Sequence, residues 1–209
     1  MSAQVLEKTD VDAMLNTRLD ELLSKKLDEM LPQKLEEIEA GKTPSMAIIA
    51  TKGTLDWAYP PFILASTGAA LGWDVSIFFT FYGLALLEKN YRGQISPLGN
   101  PAMPMKMPMG PQWFREIKWN IPNVVQAAIP GYEKLATNLM QKTIKNNGVA
   151  SIEELRELSL EAGVRMLACQ MTVELFGYDK NAFIPEVTEY VGAASFLPVA
   201  QKADVTLFI

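Results

Sequence analysis

Cys169 is the residue of this sequence with the clearest capacity for chemistry. It lies in the stretch RMLACQMTVELFG, residues 165–177, and is the only cysteine of a 209-residue chain that has no histidine. The apolar run VRMLA before it predicts a buried strand, and the residues after it predict a helix that ends near Phe176, with Gly177 as its stop signal. A thiol between a strand and the start of a helix meets free backbone N–H groups, which favour the nucleophilic thiolate.

A second interpretation of Cys169 is structural. Free cysteine is among the most frequently buried residues and then behaves as a small apolar side chain. Without histidine, a Cys–His hydrolase or protease within this chain is excluded, and the usual zinc sites cannot be built. Cations that loops could bring to the thiol are Lys52, Lys89 and Arg92. At this point both the reactive and the structural interpretation stay open.

Turns after the predicted strands supply further candidate substrate contacts. Lys52 and Thr54 lie in the turn TKGTLD after the first strand, where they could bind an anion, although ordinary turn chemistry also explains them. The turn has one glycine and matches neither the dinucleotide-binding motif nor the P-loop. We expect Tyr82, after the second strand, and Gln170, after the third, to contribute to the same substrate site.

A segment rich in proline and methionine interrupts the regular elements. It reads PLGNPAMPMKMPMGPQWF, residues 97–114, and its prolines exclude a regular helix or a central strand. We interpret it as an adaptable apolar flap in which Met107 and Met109 are candidate substrate contacts. Copper(I) ligation by Met103, Met105 and these two thioethers is the alternative. The aromatic residues that follow favour a lid, a subunit contact or contact with a membrane surface.

The elements that would position these residues alternate between short apolar strands and helices. Strands are predicted at 46–50, 74–79, 164–168, 188–192 and 205–209. Helices are predicted at 60–71, at 84–90, after the Ser151–Glu154 capping box to residue 162, from 170 to 176, and at 194–202. Continuous apolar strands separated by helices predict an α/β fold with a parallel sheet covered on both faces. The order of the strands is left open.

Residues 5–40 predict a helical arm before this domain. They contain no glycine, and apolar residues recur at spacings of three and four opposite a charged face. The run KLDEM recurs eight residues later as KLEEI, which does not sustain a seven-residue seam. Pro32 predicts a kink or a helix boundary, and Gly41 and Pro44 end the arm. We expect an arm over 1–42 that docks on its own domain, on a sister subunit or on a recruited partner, and an α/β domain over 43–209 with an insert at about 91–148.

Composition narrows the class of partner and the compartment. The hydrophobic share of 49% is that of a globular protein, and a net charge of −5 without a basic tract argues against nucleic acid as a partner. The sequence starts without the basic and apolar regions of a signal peptide, and no apolar run is long enough to span a bilayer. We therefore expect a reducing cytoplasm, with peripheral contact at the inner membrane face left open.

Several segments together resemble a known family. The runs MAIIATKGTLDWAYPPFILASTGAALGWDVSIFFTFYGLALL, GVRMLACQMTVELFGY and EYVGAASFLPVAQKADVTLFI, with the methionine-rich insert between the first two, are similar to the DsrE/DsrF-like family and to its branch with a long insert of this kind. The resemblance implies a three-layer α/β/α sandwich with a five-stranded, mainly parallel sheet and a homo-oligomer. It also implies a cysteine that carries sulfane sulfur as a persulfide or thiosulfonate, and the position that matches is Cys169.

The hypothesis that follows is a sulfur carrier or sulfurtransferase that needs no cofactor. The resemblance implies small TusA-like carriers as partners and thiosulfate or persulfides as donors. Relatives with a second cysteine could relay the sulfur internally, whereas this chain must pass it to an external thiol. Two alternatives stay open: a non-catalytic interaction module with a buried Cys169, and a thiol-dependent peroxide sensor.

Overall fold

The computed structural model describes residues 3–95, 110–118 and 122–209. The chain divides into two compact units, Met1–Thr43 and Pro44–Ile209. Most of the methionine-rich segment, with Met103, Met105, Met107 and Met109, lies outside the described residues, so the predictions of a flap and of copper ligation stay untested.

The first unit is a single helix, α1 (Ala3–Ala40), which contains Pro32. The predicted alternative of a helix boundary at Pro32 is therefore wrong. A proline inside a helix removes one backbone donor, and on this exposed helix the carbonyl that is left over is open to water. The large apolar side chains between Val11 and Ile38 are exposed, from 49% for Met30 to 74% for Met14. The prediction that the arm docks on a partner or a subunit stays a prediction.

The second unit contains a five-stranded parallel sheet. Its strands are β1 (Ser45–Ala50), β2 (Asp74–Phe79), β3 (Arg165–Cys169), β4 (Glu189–Val191) and β5 (Val205–Phe208). The strand order is β4-β3-β2-β1-β5, with β1 paired to both β2 and β5 and all pairs parallel. The predicted strands are confirmed to within a residue or two at their ends, and the structure supplies the order that the sequence left open.

Seven helices accompany the sheet in the described part of this unit. They are α2 (Leu55–Ala70), α3 (Gln112–Glu116), α4 (Asn123–Ala128), α5 (Tyr132–Asn146), α6 (Ile152–Glu161), α7 (Gln170–Phe176) and α8 (Ala193–Lys202), and 3₁₀ helices cover Phe81–Leu87 and Lys180–Ala182. The predicted start of α2 at residue 60 is wrong, because the helix begins at Leu55. Leu55 and Ala58 are buried. The free energy gained by burying them outweighs the loss of the two backbone hydrogen bonds that Pro60 and Pro61 cannot donate.

Apolar residues cover both faces of the sheet. Successive residues of β3 point to opposite sides: Met166 and Ala168 join the larger core, whereas Leu167 and Cys169 join a smaller core with Phe78 and Phe196. Phe196 belongs to α8, and its ring stacks on that of Phe78 with centroids 4.6 Å apart. Two buried cores on opposite faces make the three-layer α/β/α arrangement that was expected.

Helix α6 is fixed at its start and clamps the segment after β2. The predicted capping box is confirmed: the N–H of Ser151 donates to Glu154 Oε2 at 2.7 Å, and the N–H of Glu154 donates to Ser151 Oγ at 3.2 Å. One turn on, the buried Arg156 donates to the carbonyls of Leu86 and Glu88, both at 2.9 Å. This guanidinium holds the end of the 3₁₀ helix Phe81–Leu87 against α6.

Candidate functional site

The pairing register aligns the carboxyl ends of strands β1, β2 and β3 at one edge of the sheet. Ala50 of β1 pairs with Phe79 of β2, and Phe79 pairs with Ala168 of β3. The next residues, including Thr80 and Cys169, therefore lie side by side at the edge where open parallel sheets bind ligands. Cys169 is the last residue of β3 and the N-cap of α7, as the sequence predicted.

The Cys169 side chain is buried, with 3% of its surface exposed. It packs in the smaller core with Phe78 and Phe196, which is the environment that the structural interpretation predicts. Across the sheet it pairs with Val191 of β4.

Two threonine hydroxyls lie next to the sulfur. Thr80 Oγ1 and Thr172 Oγ1 are 3.2 Å apart, and the backbone N–H of Phe81 donates to Thr172 Oγ1 at 3.4 Å. Thr172 is 1% exposed, so water does not compete for its hydroxyl. Phe81 has a φ of 48°, a left-handed conformation that is costly for a residue with a side chain and that recurs at functional sites.

Hydrogen bonding lowers the pKa of the Cys169 thiol. Burial by itself raises the pKa, since it penalises the charged thiolate, and the hydroxyl and N–H of Thr172, the hydroxyl of Thr80 and the N–H of Met171 more than offset this. Among the described residues no charged group contributes to the shift. The thiolate is therefore stabilised by neutral donors alone.

An exposed aromatic surface is formed by the segments that follow β2 and β3. The ring of Phe176, at the end of α7, contacts Tyr82 with centroids 5.8 Å apart and Phe81 at 6.1 Å. Tyr82 is 69% exposed, and the neighbouring Met171 and Leu175 of α7 are exposed to a similar extent. The predicted contact residue Tyr82 thus belongs to an exposed apolar surface formed by the 3₁₀ helix after β2 and by helix α7.

The turn after β1 lies against the segment that carries Tyr82. Gly53 approaches the Tyr82 carbonyl so closely that a Cβ at this position would collide with it. Lys52 places its ammonium 3.2 Å from the centre of the Trp57 ring, a cation–π contact. Thr54 is the N-cap of α2, but its buried Oγ1 makes no hydrogen bond with any described residue. The roles predicted for Lys52 and Thr54 stay predictions.

The other predicted contacts are engaged elsewhere or lie outside the description. Gln170 donates its side-chain amide to Glu174 at 2.9 Å, along its own helix. Lys89, which we considered as a cation near the thiol, donates to the Asn181 carbonyl at 2.8 Å. Met107 and Met109 lie outside the described residues. Of the predicted set, the described structure brings Tyr82 and Gln170 to the strand edge of Cys169.

The sequence reasoning missed Thr80 and Thr172. A signal for Thr172 was present, since the spacing Cys169-x-x-Thr172 is that of an N-cap and the third residue of its helix, whose side chain and N–H face back to the cap. Thr80 ends β2, but only the strand order places β2 beside β3.

No group of three or more histidine, cysteine, aspartate or glutamate side chains is arranged to hold a metal ion in the described ranges. In the same ranges, no helix combines the length and the apolar character that crossing a membrane requires.

Fold and site together define a class of α/β protein with a single thiol at the carboxyl edge of a five-stranded parallel sheet. The chain belongs to the DsrE/DsrF/DrsH-like family, which it matches over residues 42–208. It is 56% identical over 164 residues to the sulfur carrier protein DsrE2 of Allochromatium vinosum, a match that covers 78% of this chain and 97% of that protein. It is also 25% identical over 168 residues to the uncharacterized protein YrkE of Bacillus subtilis, covering 80% of this chain and 98% of the other. The family that the sequence segments resembled is thereby confirmed.

Proposed function

We propose that this protein is a sulfur carrier that holds sulfane sulfur on Cys169 and passes it to the thiol of a partner. The observation that supports the proposal is a lone thiol at the carboxyl end of a parallel strand, the edge where open parallel sheets bind ligands. The neutral donors of Thr172, Thr80 and Met171 lower the pKa of this thiol despite its burial. The name of the relative from Allochromatium vinosum, a sulfur carrier at 56% identity, supports the same role.

Loading begins with the Cys169 thiolate. Its sulfur attacks the sulfane sulfur of a donor, a new S–S bond forms, and the donor leaves with the electron pair of the broken bond. With thiosulfate the products are the Cys169 persulfide and sulfite. Unloading reverses the roles: a partner thiolate attacks the outer sulfur, the S–S bond breaks, and Cys169 leaves as a thiolate. Neither step changes the total oxidation state, so no oxidant or reductant is required.

Partners and compartment follow from this chemistry. Because the described chain offers no second thiol, the acceptor is external, and small TusA-like carriers are the partners we propose, with thiosulfate or low-molecular-weight persulfides as donors. The thiol must stay reduced between cycles, so the compartment we propose is the reducing cytoplasm. The exposed apolar surface of Tyr82, Met171 and Phe176 beside the buried sulfur is where we expect the acceptor to approach.

The competing function is an interaction module with a structural cysteine. It is favoured by the burial of Cys169, of which 3% is exposed, and by its packing on Phe78 and Phe196. The two functions differ in one property. A carrier sulfur must react in the folded protein, whereas a core thiol reacts only when the protein opens.

The test is the intact mass of the native protein after incubation with thiosulfate, polysulfide or glutathione persulfide. A carrier gains the mass of one or more sulfur atoms, loses it on reduction, and gains nothing as Cys169→Ser. Native alkylation by iodoacetamide, compared with alkylation in denaturant, is measured on the same sample. No adduct from any donor, together with alkylation only after unfolding, would establish the interaction module instead.

A further inference from the structure

Helix α1 is built from an eight-residue repeat. The runs DVDAMLNT, RLDELLSK, KLDEMLPQ and KLEEIEAG follow one another over residues 10–41, and each has an apolar residue in its second and fifth places. The third place is acidic in all four runs, and the first place is basic in the last three. The family match begins at residue 42, whereas α1 ends at Ala40, so the arm lies outside the family domain. The sulfur chemistry proposed above does not use this repeat.

The repeat forms an apolar stripe along α1. Every fourth residue from Val11 to Leu35 is apolar, and the apolar fifth places of the repeat lie beside this row. All of these side chains are exposed, from 49% to 74%. Because an α-helix turns through about 100° per residue, eight residues advance the stripe by about 80° beyond two full turns. The stripe therefore winds around α1, and a flat surface or a straight partner meets it over only about two repeats.

Two columns of opposite charge flank the stripe. At about 100° per residue, the first place of each repeat lies on one side of the stripe and the third place on the other. The basic column is Arg18, Lys26 and Lys34, and the acidic column is Asp12, Asp20, Asp28 and Glu36. Within the helix Arg18 pairs with Glu21 at 3.1 Å, and both side chains are at least 61% exposed. Such an exposed ion pair is weak, so the basic column can exchange it for a pair with another molecule.

We propose that this stripe is the docking surface for α1 of a second copy of the chain, and that the two helices pack parallel to each other. In a parallel pair a twofold axis runs between the helices, so the basic column of each helix meets the acidic column of the other. In an antiparallel pair each column meets its own copy, and like charges repel. The charge pattern therefore selects the parallel pair. An anionic membrane surface is disfavoured, because α1 has ten acidic and five basic residues.

The spacing of the apolar row also determines how the two helices cross. Side chains four residues apart form ridges, and helices whose ridges of this kind interdigitate cross at about −50°. Helices that cross at this angle touch only near the crossing point, which agrees with a stripe that keeps one direction over about two repeats. The two middle repeats, residues 18–33, supply both the apolar row and the two charged columns. We therefore place the crossing near Leu23.

The first test is disulfide cross-linking in a glutathione redox buffer, with the full-length protein carrying Cys169→Ser. Leu19→Cys and Leu27→Cys lie on either side of the proposed crossing, and Lys25→Cys, on the opposite face of α1, is the control. A parallel pair brings each of these two leucine positions to its own copy. We therefore expect each leucine variant alone to form a linked dimer, roughly tenfold faster than the control.

Three results would overturn the inference. An antiparallel pair would link position 19 to position 27, and only when the two leucine variants are mixed. Equal cross-linking of the Lys25→Cys control would show random collision. No cross-linking of either leucine variant would show that the stripe docks on its own domain or on a different partner.

The second test changes only the charges beside the stripe. Arg18→Glu with Lys26→Glu makes both columns acidic, and we expect the cross-linking rate of Leu19→Cys to fall roughly tenfold. Adding Asp20→Lys and Asp28→Lys exchanges the two columns and makes them complementary again, so the rate should recover. Circular dichroism checks that each variant keeps its helix content. An unchanged rate in the first variant, or no recovery in the second, would overturn the charge-matched parallel pair. Because the linked residue lies in α1, the result reports on the arm and not on contacts between α/β domains.

Discussion

Gly83 lies where the segment after β2 crosses the end of β1, and we expect Gly83→Ala to disturb both the fold and the site. A Cβ at Gly83 would collide with the carbonyl oxygen of Ala50 and lie 2.8 Å from its carbon, distances that real side chains do not show. The obstacle is backbone, which cannot rotate away as a side chain can. The Ala50 carbonyl is also tied in place, because it accepts the N–H of Thr80 at 3.0 Å.

The cost of this substitution follows from two contributions. Forcing an extra carbon into a packed region costs about 1–3 kcal/mol, and loss of the Thr80 N–H bond to Ala50 adds about 1 kcal/mol. The expected loss of unfolding free energy is therefore about 2–4 kcal/mol, which in a chain of this size lowers the melting temperature by roughly 10 °C. Because Thr80 moves with the backbone, we also expect the pH midpoint of Cys169 alkylation, which gives the pKa of the thiol, to rise.

Thermal unfolding followed by circular dichroism, with urea titration at fixed temperature, measures this effect. Gly192→Ala is the matched control: Gly192 has a φ of −85°, and an added Cβ meets nothing within 4 Å. Alanine is a poorer N-cap than glycine, so we expect this control to lose no more than about 1 kcal/mol. The reasoning is refuted if Gly83→Ala unfolds at the same temperature as Gly192→Ala and leaves the alkylation midpoint unchanged.

Three further predictions concern stability. Arg156→Met removes a buried guanidinium that donates to two carbonyls, and we expect the free energy of unfolding in urea to fall by about 3–5 kcal/mol. A fall of less than about 1 kcal/mol would contradict the role of Arg156 in holding the 3₁₀ helix against α6. Ser151→Ala breaks the capping box of α6 and should cost about 1 kcal/mol, whereas an unchanged melting temperature would show that the cap is not used. Because the folded-state pKa of Cys169 is lowered, its thiolate favours folding: the benefit is absent below the folded pKa, grows as pH rises and is complete above the ordinary pKa of a thiol. The unfolding free energy of wild type minus that of Cys169→Ala should therefore increase with pH, and a flat or falling difference would count against the donors at the sulfur.

Local signals predicted most of the elements. The apolar run of β2 was predicted with its observed bounds, and the capping box and Gly177 fixed the start of α6 and the end of α7. These features depend on neighbouring residues, which the sequence shows directly. Where packing outweighs local preference the prediction failed, as at Leu55, where helix α2 begins before its prolines.

The sequence predicted one residue of the candidate site, Cys169, but not the residues that surround it. Cys169 was found because a strand, a thiol and a helix follow one another in the chain. Its hydrogen-bond partner Thr80 comes from another strand, and the left-handed Phe81 that orients Thr172 is a property of the folded backbone. Lys52 and Gln170 were predicted as substrate contacts only because they follow strands in the sequence. In the structure Lys52 contacts the ring of Trp57, and Gln170 donates a hydrogen bond to Glu174.

The central claim is that Cys169 receives sulfur and hands it on. The most direct measurement is a single-turnover transfer, in which the protein is loaded with isotope-labelled sulfur from glutathione persulfide, freed of donor and mixed with a protein thiol acceptor. The masses of both proteins are then followed in time. We predict that the label leaves Cys169 and reaches the acceptor in equal amount, and that Cys169→Ser carries no label. Label that never attaches to Cys169, or that stays on it in the presence of the acceptor, would contradict the account.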